Sequence, residues 1–270
     1  MARRRRRSKG TSPWAVIAIV LLVGFVVAAM GGFLMLRMRA GETVVLDEDN
    51  CPVTGALSAT VVLLDVTDPI SEITRVDMKR QFQRAVAGVE KGGLVEVYTL
   101  TSDEGKLRRS YRGCNPGDKS SADAWTSNPR KIQQRWDEAF DKPLREMSDT
   151  IGTATESKTS PILAGIQRIV VESLSDMKIE NRPKKLYVAS DMMENTNAFS
   201  IYKSGADYEA FLKSTARDRF RTSLDGIDVK IWAFQREGSS KHKNLPEFWA
   251  KWVMSNGGNF DAYERLSGIE

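Results

Sequence analysis

Asp65 and Asp191 each close a run of β-branched and aliphatic residues, Thr60-Val61-Val62-Leu63-Leu64 and Lys185-Leu186-Tyr187-Val188-Ala189-Ser190. Hydroxyls accompany them: Thr67 and Ser71 follow the first run, Thr159 and Ser160 precede a helical stretch, and Ser190 adjoins Asp191. Carboxylates and hydroxyls converging without His or Cys make an all-oxygen shell, which suits Mg²⁺ or Ca²⁺ and not zinc or copper. The chain has two cysteines, Cys51 and Cys114, and one histidine, His242, so a zinc site has no ligand set. His242 lies in the polar stretch Gly238-Ser239-Ser240-Lys241-His242-Lys243-Asn244, an exposed loop that offers no setting for a Ser-His-Asp or Cys-His arrangement.

Such residues act together only if the fold gathers them. Continuous apolar runs ending in Asp65 and Asp191 read as strands buried on both faces. From Glu72 to Val89 apolar residues recur at helical spacing (Ile73, Val76, Phe82, Val86, Val89), and Gly92-Gly93 ends the pattern. Residues 94–100 form a second strand, and 106–111 a short third strand at a sheet edge. Pro129 suits the first position of a helix over 129–149, and another helix follows Pro161. Residues 228–234 read as a strand, 246–255 as a helix, and 260–266 as either a strand or a short helix. This alternation predicts an α/β fold: a Rossmann-like, doubly wound, mostly parallel sheet with helices on both faces. Ligands bind such sheets outside the carboxyl ends of the strands, near the point where strand order reverses. Five tryptophans beyond Trp14 read as core; for Trp249 with Trp252, three residues apart, a surface anchor is the alternative.

The N-terminal part obeys different rules. Trp14 to Leu36 holds 23 residues without a charge, about 34 Å as a helix and enough to span a hydrocarbon core of about 30 Å. A cleaved signal peptide has an apolar region of only about 7–15 residues, so a retained anchor is the expectation. Six positive charges precede the segment and two follow it, which keeps the N-terminus in the cytoplasm and exports the rest. The expected organisation is a basic tail (1–13), a transmembrane helix (14–36), a linker (37–57) and an α/β domain (58–270). In a Gram-negative cell this means an inner-membrane anchor and a periplasmic domain. An exported compartment is oxidising, so a Cys51–Cys114 disulfide is expected, with two free thiols as the alternative. The overall charge of +5 belongs to the tail: residues 1–39 carry eight basic residues and no acid, leaving 32 basic against 35 acidic residues in the remainder. A domain without a positive excess lacks the electrostatic attraction that dominates nucleic-acid affinity, so no nucleic-acid partner is expected.

Asp65-Val66-Thr67 before a helix, Ser160-Pro161-Ile162 opening another, and Leu186-Tyr187-Val188-Ala189-Ser190-Asp191, in that order, resemble the von Willebrand factor type A (VWA) domain over residues 58–235. That family carries a metal-ion-dependent adhesion site built from DxSxS after the first strand, a Thr in a TPL-like segment and an Asp after a buried strand. The resemblance implies that Asp65, Thr67, Ser160 and Asp191 hold Mg²⁺, or Ca²⁺ or Mn²⁺, and that a protein partner's acidic side chain takes the open coordination position. Two departures stand out. Pro69 replaces the second Ser of the motif, with Asp68 and Ser71 as candidates to substitute, and Met192 replaces the usual Gly after the last Asp. Without a metal, Asp65 would cap the following helix and Asp191 would form a turn.

A membrane-anchored protein-binding module is therefore the expected function. Two other readings remain open. Haloacid-dehalogenase-like phosphatases also place an Asp after a first strand, and Asp65, Thr67, Ser160, Lys184 or Lys185, and Asp191 can be read that way, with Asp65 as nucleophile. A metal-independent structural component of an envelope assembly is the third, its helix packing through Gly24 and Gly31-Gly32.

Overall fold

The computed structural model describes residues 12–39, 45–65, 69–101, 103, 106–122, 128–150, 159–236, 239 and 241–266. The chain divides into two compact units, residues 1–44 and 45–270. In the first, helix α1 (Pro13–Arg39) contains a stretch of 24 residues, Pro13–Leu36, with mean hydropathy 2.7. It is long and apolar enough to cross a membrane.

The second unit is built on a six-stranded sheet in the order β3-β2-β1-β4-β5-β6. Its strands are β1 (Ala59–Asp65), β2 (Leu94–Leu100), β3 (Leu107–Cys114), β4 (Lys184–Ser190), β5 (Ile227–Phe234) and β6 (Asn259–Leu266). All pairings are parallel except β2 with β3, which is antiparallel and places β3 at an edge. The last apolar stretch, ambiguous between strand and helix, is a strand because it pairs with β5. The fold is a doubly wound, mostly parallel α/β sheet, and its strand order reverses between β1 and β4.

Alternate residues of β1 serve opposite faces. Val62 and Leu64 join Met78 and Phe82 of α2 (Glu72–Ala87), and Phe140 and Leu144, in one core layer. Val61 and Leu63 join Ile162, Ile166 and Ile169 of α5 (Ile162–Ile169) in the other, with Phe248, Trp249 and Trp252. Trp249 and Trp252 are fully buried, so they are core and not a surface anchor. Gly165 lets α5 lie close to the sheet, since a Cβ there would meet Leu100 Cδ1 at 2.7 Å and Leu63 Cδ2 at 3.3 Å.

Two details escaped the helical pattern. The helix expected over 129–149 runs as α3 (Pro129–Trp136), a π-turn (Asp137–Asp141) and α4 (Lys142–Thr150). A π-turn shifts the angular phase of the helix beyond it, and here it accompanies burial of Phe140 and Leu144 against the sheet. Between β4 and β5 lie α6 (Ile201–Ser204), α7 (Tyr208–Leu212) and α8 (Ala216–Arg219), each too short to show a period.

Residues 45–57, inside the stretch expected as a linker, pack on this second unit as a strap. Leu46 bridges Pro52, the Cys114 N–H donates to the Asp49 carbonyl, and Cys51 and Ala56 are buried in the core. Cys51 and Cys114 are disulfide-bonded. Helix α9 (Leu245–Ser255) leads into β6.

Candidate functional site

The site lies where β1 and β4 part. Leu64 pairs with Ala189 across the parallel ladder, so Asp65 falls opposite Ser190 with Asp191 one residue on. Neighbouring strands lie about 4.8 Å apart, which sets Asp65 beside Ser190 at the carboxyl edge of the sheet. Both aspartates are almost fully buried. Ser190 Oγ donates to Asp65 Oδ2 at 2.7 Å, and Ser160 Oγ donates to the same oxygen at 3.0 Å.

Ser160 is positioned from two sides. Its backbone pairs with Asn195, N–H to O at 3.1 Å one way and 3.0 Å the other. Pro161, at the cap of α5, makes no side-chain cap bond. The fully buried Glu194 takes that role from across the fold, its Oε2 accepting the Leu163 N–H at 2.9 Å. The segment 194–195 thus clamps both Ser160 and the helix that follows it.

The turn after β4 is held as tightly. The Met192 N–H donates to Ser190 Oγ at 2.9 Å, the Met193 N–H to Asp191 Oδ1 at 3.0 Å, and Trp249 Nε1 to the Met192 carbonyl at 3.0 Å. Met192 has φ +62°, in the left-handed region. The backbone keeps the conformation that favours the Gly expected there, and Met adopts it at a cost of about 1–2 kcal/mol. Ser190 is thus acceptor for one buried group and donor to another. Ser190→Ala is expected to lower stability by about 1–3 kcal/mol, read as a shift in the urea midpoint, because it strands a backbone N–H.

Arg236, two residues past β5, brings its Nη1 to 3.3 Å from Asp191 Oδ2. Burial raises the Tyr263 phenol well above its ordinary value; Arg265 opposes that shift and the nearby Asp191 carboxylate adds to it. Tyr263 therefore stays protonated beside the crevice.

The other expected site residues fall differently. Ser71 is the N-cap of α2: its Oγ accepts the Thr74 N–H at 3.1 Å and bonds Thr74 Oγ1 at 2.8 Å. The capping role foreseen for Asp65 belongs to Ser71. Thr67 and Asp68 lie outside the described residues. Asp65 is bonded to Ser160 and Ser190, and Asp191 directly follows Ser190 at the end of β4. Sequence reasoning missed Arg236, Glu194 and Asn195; the one local signal was a cation just past the strand that neighbours β4. Among the described residues no three His, Cys, Asp or Glu side chains group to hold a metal. The set at the crevice is instead two carboxylates and two serine hydroxyls, and these oxygens fit a hard divalent cation by chemistry.

No protein-family model matches the sequence, and no curated protein matches it. Among solved structures, an aerotolerance-related membrane protein from Bacteroides fragilis is similar with TM-score 0.39 and 13% identity, over 78% of this chain and 91% of the other. BatB from Bacteroides thetaiotaomicron follows with TM-score 0.37 and 13% identity, over 77% and 89%. Proximal thread matrix protein 1 from the mussel byssus, with a zinc-occupied MIDAS motif, gives TM-score 0.35 and 10% identity, over 80% and 43%. The α/β fold assignment rests on the strand order and pairing, not on these scores.

Proposed function

We propose that this chain is a membrane-tethered protein-binding module, anchored by α1 with its N-terminus in the cytoplasm and its α/β unit exported. In a Gram-negative cell that unit occupies the periplasm, on an inner-membrane anchor. Asp65, Thr67, Ser160 and Asp191 would hold a divalent cation, Mg²⁺, Mn²⁺ or Ca²⁺, with Asp68 as a further candidate ligand. Bound there, the cation would supply a positive centre for an acidic side chain of a protein partner. The observation that carries this reading is the convergence of two serine hydroxyls on the buried Asp65 carboxylate beside Asp191.

The chain's own hydrogen bonds hold the ligand side chains in position. Ser160 and Ser190 fix the Asp65 carboxylate, and the Asn195 and Glu194 contacts fix Ser160. Such pre-organisation reduces the ordering cost of binding.

The phosphatase alternative loses its lysine. Lys184 pairs with Ala59 and Lys185 with Thr60, at the start of β1 and roughly 20 Å of strand from Asp65. Metal-independent docking is the remaining alternative, favoured by the Arg236 guanidinium already standing against Asp191.

The test is calorimetric titration of the detergent-solubilised full chain with Mn²⁺ and Mg²⁺. Asp65→Ala is expected to weaken Mn²⁺ binding at least about 100-fold, since cation affinity in oxygen sites follows the charge of the ligands. Equal binding by wild type and variant would remove the metal from the proposal. Partner retention that survives chelator would transfer it to the metal-independent mode.

A further inference from the structure

We propose that Arg236 is a resident cation that contends with a divalent metal for Asp191, so that the crevice binds metal more tightly once the guanidinium withdraws. This rests on the metal-binding reading above and sharpens it. Arg236 reaches the site from the end of β5, the strand next to β4, and its side chain is only 20% exposed against 5% for Asp191. It is therefore packed into the crevice wall and is not a surface residue resting against a carboxylate. Its Nη1 lies 3.3 Å from Asp191 Oδ2, while the other oxygen of that carboxylate accepts the Met193 N–H.

The charge arithmetic gives the contest its direction. Asp65 and Asp191 together present two negative charges, and Arg236 reduces that to one. The affinity of an oxygen site for a hard cation rises with the number of ligand charges. Metal must then displace a guanidinium held by charge and by position, or bind with Asp191 still neutralised. Either course weakens the site relative to one with a neutral residue at 236. A partner that draws Arg236 away would strengthen it.

Mn²⁺ titration of the detergent-solubilised full chain tests this, with wild type, Arg236→Gln, Arg236→Lys and Asp65→Ala in parallel. Arg236→Gln is expected to bind Mn²⁺ at least about tenfold tighter than wild type, a difference of about 1.4 kcal/mol. Arg236→Lys keeps the charge and is expected to stay within about threefold of wild type. If Arg236→Gln binds no tighter than wild type while Asp65→Ala abolishes binding, the inference fails and the metal site stands. If no variant binds Mn²⁺ and Asp65→Ala changes nothing, the metal reading itself fails and takes the inference with it. Should Arg236→Gln not fold by circular dichroism, ¹⁵N-arginine spectra of the wild type decide. Saturating diamagnetic Mg²⁺ is expected to shift the Arg236 side-chain resonance, identified by its absence in Arg236→Lys. A resonance unmoved by Mg²⁺ while calorimetry registers binding overturns the inference.

Discussion

Arg112→Ala is expected to destabilise the α/β unit by about 3–5 kcal/mol, because it leaves a fully buried carboxylate without its main counter-charge. Glu96 of β2 is 0% exposed and faces Arg112 directly across the antiparallel ladder. Arg112 bonds Glu96 through Nη1 and Asp49 through Nε, the latter at 2.9 Å. Arg109, at 3.6 Å from Glu96, is half exposed and a weaker substitute. Glu96 Oε2 has no hydrogen-bond partner among the described residues, so the carboxylate has little in reserve. For a unit of this size the loss corresponds to a melting point roughly 6–20 °C lower. Scanning calorimetry measures it, and Arg112→Leu with Glu96→Leu should recover most of the difference, since apolar side chains of similar volume replace a buried pair at little cost. A melting point within about 2 °C of wild type for Arg112→Ala would show that the pair contributes nothing net.

Removing the disulfide should cost a similar amount. Cys51 and Cys114 are separated by 63 residues, and closing a loop of that length reduces unfolded-chain entropy by about 4 kcal/mol at room temperature. Cys51→Ser with Cys114→Ser is expected to lower the guanidinium midpoint accordingly. Adding Arg112→Ala should cost less than the sum of the separate effects, because both links hold the strap: Asp49 meets Arg112, and the Asp49 carbonyl accepts the Cys114 N–H. The same bond reports on topology. Thiol alkylation of protein denatured straight from cells should find both cysteines oxidised; two alkylated thiols would place the α/β unit in a reducing compartment.

Legibility in the chain tracks physical range. Apolar runs located β1 and β4, and β2 and β5 stayed legible around their interior charges, because a buried strand core leaves no other pattern. Position at a strand end then singled out Asp65 and Asp191 before any contact was known. Glu96 stayed hidden because an acid within Leu-Val-Glu-Val-Tyr reads as a solvent-facing position, and only Arg112 on the next strand explains its burial. Arg236 lies 45 residues from Asp191, and Glu194 lies 31 from the N–H it caps. Pairings of that range leave no local trace. Ser71 is a candidate ligand by sequence and the cap of α2 in the structure, two roles that call for the same short hydroxyl side chain.

The strap also fixes the end of the sheet opposite Asp65. Cys114 pairs with Leu94 at the first residue of β2, and Ala59 begins β1 at the same end, so the chain is fastened where the parallel strands start. Asp65 and Ser190 lie where those strands finish, a strand length of roughly 20 Å away. A pull applied between residue 45 and Asp65 would run along the strands, with the Cys51–Cys114 bond near the strap. The strap and the Asp65 carboxylate thus lie at opposite ends of the parallel strands.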